Sequence, residues 1–242
     1  MRIIISPAKK MNIDTDTLQY KDVPVFMDRA KKLTEKIQNL SYEECKALWK
    51  CNDKIARLTY ERYQNMDLYN SLSPAIFTYE GLAFQHLAAN IMSEEELDYL
   101  ENHLYILSGF YGALKPFDGI RCYRLEMQIK EFDLYNFWNE LIANKLYEDI
   151  DLVINLASTE YSSCITPYLN ENRKMINIVF SEEKNGKLKT KGTEAKMCRG
   201  AMVRYMAVNK IKNIEDLKNF EYIGYKYNEV YSNENELVFV KG

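Results

Sequence analysis

The sequence predicts a single α+β (mixed α/β) domain, with a mixed central sheet flanked by helices. Three observations carry that expectation. Short apolar runs of strand length recur from one end of the chain to the other. Segments with apolar residues at helical spacing lie between them. No linker divides the 242 residues, which include only 9 Gly and 5 Pro, so the domain is taken as residues 1–242. The 47% apolar and 28% charged fractions are those of a globular chain, which excludes disordered, collagen-like and coiled-coil proteins.

Residues 1–5 read as a buried strand that stops at Ser6-Pro7. Pro24 suits the first turn of a helix over residues 24–39. Ser41-x-x-Glu44 and Ser93-x-x-Glu96 are capping boxes that each start a further helix. Residues 52–68 and 74–89 also carry helical spacing, so the first 110 residues read as mostly helix after one strand. Beyond them, residues 133–147 form an amphipathic helix containing Trp138, and residues 152–157 and 175–180 are short buried strands. Asn185-Gly186 turns the chain into a returning strand over residues 187–191. A helix over residues 193–210 follows, and residues 222–227 and 236–240 alternate like two last strands.

The five cysteines are scattered and odd in number, without a Cys-x-x-Cys pair, which reads as reduced, packed thiols in a cytoplasmic protein. Apolar runs are too short for a signal peptide or a membrane span. His86 and His103 stand apart, so the expectation is no metal and no cofactor. The net charge of −3 hides an asymmetry: residues 184–212 hold nine Lys or Arg and one acid, a local +8 that leaves −11 on the rest. Such a stretch is either a solvated face or a landing surface for polyanions.

Several constellations bear chemistry. Lys9, in Ser6-Pro7-Ala8-Lys9-Lys10, follows the first strand, where α/β proteins place ligands. Ser6-x-x-Lys9 has serine-acylase spacing but lacks the companion motifs. Ser108-Gly109-Phe110-Tyr111-Gly112, with Lys115, reads either as a helix stop and tight turn or as the turn of a helix-hairpin-helix element whose amides grip phosphates. Alternation in residues 121–127 puts Arg124 and Glu126 on one face, as a surface ion pair or a phosphate fork with its orienting carboxylate. Glu160 belongs to a polar strand end, Ser158-Thr159-Glu160. On the 193–210 helix, taken on to Lys212, Met197, Ala201, Tyr205, Val208 and Ile211 form the expected apolar stripe, with Lys196, Arg199 and Lys210 on another face. Arg204 falls inside that stripe and should meet a carboxylate or an anion, while Gly200 invites close approach.

Together these segments resemble the YaaA peroxide-stress family. The resemblance rests on Ile5-Ser6-Pro7-Ala8-Lys9, Leu107-Ser108-Gly109-Phe110-Tyr111-Gly112 with Lys115-Pro116, Tyr123-Arg124-Leu125-Glu126-Met127, Val153-Ile154-Asn155-Leu156-Ala157-Ser158 with Glu160-Tyr161, and Arg199-Gly200. It implies a cytosolic protein that limits iron-driven peroxide damage, with an unusual mixed topology. It also implies a helix-hairpin-helix-like element and a basic cleft for double-stranded or branched DNA. It attaches no firm enzymatic activity and no cofactor. Carried over, the phosphate-binding set is Lys9, Ser108, Gly109, Tyr111, Gly112, Lys115, Arg124, Lys196, Arg199 and Arg204.

Two readings follow, with a monomer favoured in both. One is a DNA-binding stress protein that grips backbone and shape. The other is an enzyme acting on a nucleotide or nucleic acid, with Lys9, Arg124, Glu126 and Glu160 in one pocket. A pocket enclosing both carboxylates favours the second, and an open groove the first. Iron sequestration fits the stress role but finds little in the ligand inventory.

Overall fold

The computed structural model describes residues 1–14 and 18–242. Strands β1 (Arg2–Ile5) and β2 (Lys10–Met11) precede helices α1 (Met27–Gln38), α2 (Tyr42–Trp49) and α3 (Asp53–Gln64). The helix expected over residues 74–89 is broken into β3 (Ser73–Pro74), α4 (Ala75–Thr78), β4 (Tyr79–Glu80) and α5 (Leu82–Leu87). Gly81 makes the break by passing close to Ala8, where a Cβ would sit 3.0 Å from the alanine methyl. Then come α6 (Glu94–His103), β5 (Leu104–Ser108), β6 (Gly112–Leu114) and β7 (Gly119–Ile120). The 133–147 helix is likewise split, into α7 (Leu134–Trp138) and α8 (Leu141–Leu146), by Asn139 at φ 47°. The chain continues with β8 (Leu152–Leu156), α9 (Thr159–Ser162), β9 (Lys174–Lys184), β10 (Lys187–Lys189) and α10 (Gly192–Val208). It ends with β11 (Glu221–Tyr222), β12 (Tyr225–Tyr227) and β13 (Glu236–Lys241).

Nine strands form the main sheet in the order β11-β12-β13-β9-β8-β1-β5-β6, with β10 hairpinned onto β9. The central five, β13-β9-β8-β1-β5, are parallel, and the outer pairs are antiparallel. The mixed α+β class therefore holds. Central parallel strands are covered on both faces, which is why β1 and β5 are buried at every residue and read as continuous apolar runs. Both capping boxes form as the spacing predicts, at Ser41/Glu44 and Ser93/Glu96. No helix among the described residues is long and apolar enough to cross a membrane. All five thiols are free, four of them buried.

The segment expected to be a helix-hairpin-helix turn is a β-hairpin. The helix before it stops at His103, and Leu104–Ser108 pairs antiparallel with Gly112–Leu114. The amides expected to face phosphates are already spent: Ser108 Oγ accepts from the N–H of Phe110 (3.1 Å) and Tyr111 (2.8 Å). Ser108, Gly109, Tyr111 and Gly112 are all buried, with Trp138 donating to the Gly109 carbonyl at 3.0 Å. A five-residue apolar run has no periodicity to separate helix from strand, which is why the run itself gave no warning.

The apolar stripe of α10 is also displaced. A buried row runs along Ala195, Cys198, Met202 and Met206, about 120° around the helix from the expected stripe, with Val203 and Ala207 fully buried beside it. Tyr205 is only half-buried and Val208 exposed. Three neighbours claim the helix, α5, α6 and β9, so its buried face is wide and a single-stripe pattern misplaces it. Gly200 is where α5 comes closest: a Cβ there would lie 1.9 Å from the Ala83 carbonyl oxygen.

Candidate functional site

The carboxyl ends of β1 and β8 lie side by side because the strands are parallel and in register, Ile5 opposite Leu156. The residues that follow them, Ser6 and Ser158, close the sheet edge together. The Ser158 amide donates to Ser6 Oγ at 2.8 Å, and the two hydroxyls are 3.2 Å apart. Above this edge is a cavity of about 390 Å³, a size suited to a small ligand or one nucleotide unit. Apolar walls come from Leu82 and Phe84 of α5 and from Tyr123 and Leu125. Its charged lining is Lys9, Lys10, Glu80, Arg124, Glu126, Glu160, Lys196 and Arg199.

Close backbone packing fixes the wall that carries Arg124 and Glu126. Gly109 lies against it so tightly that a Cβ would fall 2.4 Å from the Leu125 carbonyl oxygen. On this wall Arg124 and Glu126 form the expected same-face pair, with Nη2 to Oε1 at 3.0 Å. Lys9 Nζ reaches the same Oε1 at 3.1 Å. One carboxylate oxygen thus gathers two cations, and the pair is largely shielded, with side chains 14% and 16% exposed. Burial at this depth strengthens each charge–charge contact relative to a surface pair. Behind the wall, Tyr123 Oη sits between Ser108 Oγ (2.6 Å) and Tyr79 Oη (2.7 Å), and burial pushes its pKa up to about 12.

Arg199 differs from Arg124, whose Nε is likewise buried without a hydrogen-bond partner, in that Arg124 is paired with Glu126. Arg199 lies only about 40° from the packed row of α10, so its stem is drawn inward and its Nε is buried without a hydrogen-bond partner. No carboxylate pairs with it among the described residues, and burial pulls its pKa below the usual guanidinium value. An unpartnered buried guanidinium nitrogen is costly unless a ligand supplies the acceptor. Lys196, one turn earlier, is exposed and also without an ion-pair partner among the described residues. Glu160 also lines the cavity, its Oε1 accepting a long hydrogen bond from the Gln128 amide at 3.4 Å.

Of the phosphate-binding set expected from sequence, Lys9, Arg124, Lys196 and Arg199 therefore converge on one cavity, and so do Glu126 and Glu160. The others do not. Ser108, Gly109, Tyr111 and Gly112 are buried in the hairpin, and Lys115 pairs with Glu101 at 3.6 Å outside the cavity. Arg204 sits about 180° from the packed row of α10, half-exposed, and meets no carboxylate among the described residues. The site also has members that the sequence did not single out, Leu82 and Phe84, while Tyr161, at the polar end of β8, joins it as well. Gly81, in the middle of a helical pattern, was the available signal for Leu82 and Phe84. Among the described residues, no three or more His, Cys, Asp or Glu side chains are grouped to hold a metal ion.

Comparison with known proteins covers nearly the whole chain. A family model described as peroxide stress protein YaaA matches residues 1–230. A UPF0246 protein of Lachnoclostridium phytofermentans is 48% identical over 247 residues, covering 100% of this chain and 97% of the relative. UPF0246 proteins of Agathobacter rectalis (48% identical; 99% and 98% covered) and Pediococcus pentosaceus (46% identical; 100% and 98% covered) are similar along their full lengths.

Proposed function

The chain belongs to the peroxide stress protein YaaA family, and we propose that it serves that stress role by binding a nucleotide unit, free or within a nucleic acid, in the pocket above β1 and β8. The observation that carries this reading is the convergence of Lys9, Arg124, Lys196 and Arg199 with Glu126 and Glu160 around one cavity. Lys196 and Arg199 meet the phosphate, since they are the two cations of the lining without a carboxylate partner among the described residues. The apolar surfaces of Phe84 and Leu125 take the base. Glu126, held by Lys9 and Arg124, and Glu160 are the groups placed to move protons on such a ligand. On this reading, protection against iron-driven damage passes through the nucleic acid that the pocket engages.

A second reading, DNA binding by backbone and shape, is supported by a different observation. Lys187 and Lys189 on the exposed β10 hairpin carry no ion pair among the described residues and lead directly into α10. Duplex or four-way-junction DNA would then lie across this basic run, with the pocket receiving one nucleotide of it.

Titration of the purified chain with nucleoside monophosphates, and separately with duplex and junction DNA over a salt series, tests both. The pocket reading expects mononucleotide binding that Arg199→Ala abolishes and Lys187→Ala/Lys189→Ala leaves intact. It fails if monophosphates do not bind at millimolar concentration while DNA binding persists and follows only the hairpin lysines. For DNA making about five phosphate contacts, log affinity falls with log salt at a slope near −4.5, and each lost contact flattens it by about one.

A further inference from the structure

Arg199 lines two cavities, not one. The second, of about 500 Å³, lies on the other side of the β8 edge and opens beside β9. The alternation of the extended chain explains the first part of the division: Leu156 and Ser158 line the first cavity, Asn155 and Ala157 the second. The short helix α9 then brings Glu160 to the first and Thr159 to the second. Arg199 reaches over the strand ends from α10 and borders both.

The two chambers differ in chemistry. The first joins apolar walls to charges. The second is rich in hydrogen-bond donors and built on a fixed amide pair at its floor. Asn155 Oδ1 accepts from the Ala157 N–H at 2.8 Å, so its Nδ2 turns to Asn177 Oδ1, also 2.8 Å. Asn177, its oxygen accepting from Asn155, keeps its amino group as a donor. Arg173, Lys174 and Arg199 outnumber the one carboxylate, Glu236, in the lining. A donor-rich, net-positive chamber without aromatic walls suits a sugar–phosphate better than a base.

We infer that the second cavity is a subsite for the sugar–phosphate of the neighbouring unit in a phosphodiester-linked ligand, with the linking phosphate seated on Arg199 and the first nucleotide unit in the first cavity. This rests on the nucleotide reading of the first cavity and extends it from one unit to two. It gives a role to the Arg199 side chain, which borders both chambers and pairs with no carboxylate among the described residues.

The experiment is calorimetric titration of the full chain with thymidine monophosphate and with a phosphodiester-linked thymidine dinucleotide. The dinucleotide should bind at least tenfold more tightly. Thr159→Val and Lys174→Ala, both at exposed positions, should erase that advantage while leaving monophosphate affinity within about twofold. Asn177→Ala should do the same, provided its melting temperature shows that it folds. Arg199→Ala should weaken both ligands. Equal affinities in the unaltered chain, or a dinucleotide advantage that survives Thr159→Val and Lys174→Ala, would overturn the two-subsite inference alone. Failure of both ligands to bind would overturn it together with the nucleotide reading of the first cavity.

Discussion

Gly200→Ala offers the sharpest test of how the pocket is assembled. The added methyl would lie 1.9 Å from the Ala83 carbonyl oxygen and 2.7 Å from its carbon, both backbone atoms of α5. Ordinary contact needs about 3.4 Å, so α5 and α10 must part by more than 1 Å, because neither atom can rotate away as a side chain would. Overpacking of this kind costs about 1–3 kcal/mol. For a domain of this size that is a fall in melting temperature of about 2–12 °C. Gly192→Ala is the matched control: it lies in the same helix, with nothing within 4 Å of its Cβ position. There the gain in helix propensity, up to about 1 kcal/mol, should leave melting unchanged or slightly raised. Differential scanning calorimetry of the two variants reads the contrast. Because Leu82 and Phe84 ride on α5, Gly200→Ala should also weaken ligand binding at temperatures where it remains folded. If the two alanine variants melt alike, the close helix approach is not what sets this wall.

Glu126→Gln should release Lys9 and Arg124 from their shared oxygen, raising the pocket's positive charge; phosphate-ligand affinity by titration should rise, while any proton-transfer activity should be lost. Burial raises the Asp118 carboxyl to about 7, so the folded state holds its proton more tightly than the unfolded chain. Its contribution is therefore fully present below about pH 4 and is lost as pH rises through about 7; Asp118→Asn should raise the melting temperature more at pH 8 than at pH 5. Glu194 is the reverse case, held down to about 2 by Lys241 (2.9 Å) with the Tyr225 hydroxyl (3.1 Å) and Lys191 (3.3 Å) adding to it. Its stabilisation is present above about pH 4.5 and lost as pH falls toward 2, so the melting difference between the wild type and Glu194→Gln should shrink over that range. Trp138→Phe removes the donor to the Gly109 carbonyl and should cost about 1–3 kcal/mol in chemical denaturation, since that oxygen is then buried unpaired.

What could be read from sequence was whatever local chemistry decides. The capping boxes depend on side chains three residues apart, and both formed. The Arg124–Glu126 pair follows from alternation alone, and it formed. The Asn185-Gly186 turn also held, with both residues at positive φ. Features set by distant neighbours were not legible. Leu104–Ser108 is a strand because β1 and β6 border it, and nothing within the run says so. The packed face of α10 is fixed by α5, more than a hundred residues earlier, so a stripe drawn from the helix itself was turned by about a third of a revolution. The same rotation explains why Arg199 joined the site and Arg204 did not.

The position of β1 bears on how the chain is made. Ile3 pairs with Leu104 on one side and Ile154 on the other, so the first strand in sequence is an interior strand of the finished sheet. At about 5–20 residues per second, a ribosome takes about 8–30 s to supply the second of those partners. Until residue 104 is made, the fully apolar ribbon Ile3-Ile4-Ile5 has no strand to join, and its other edge stays open until residue 154 is made. The nascent chain must shelter it, in provisional helical collapse or on a chaperone, and final closure of the ligand-bearing edge waits for residues beyond 150.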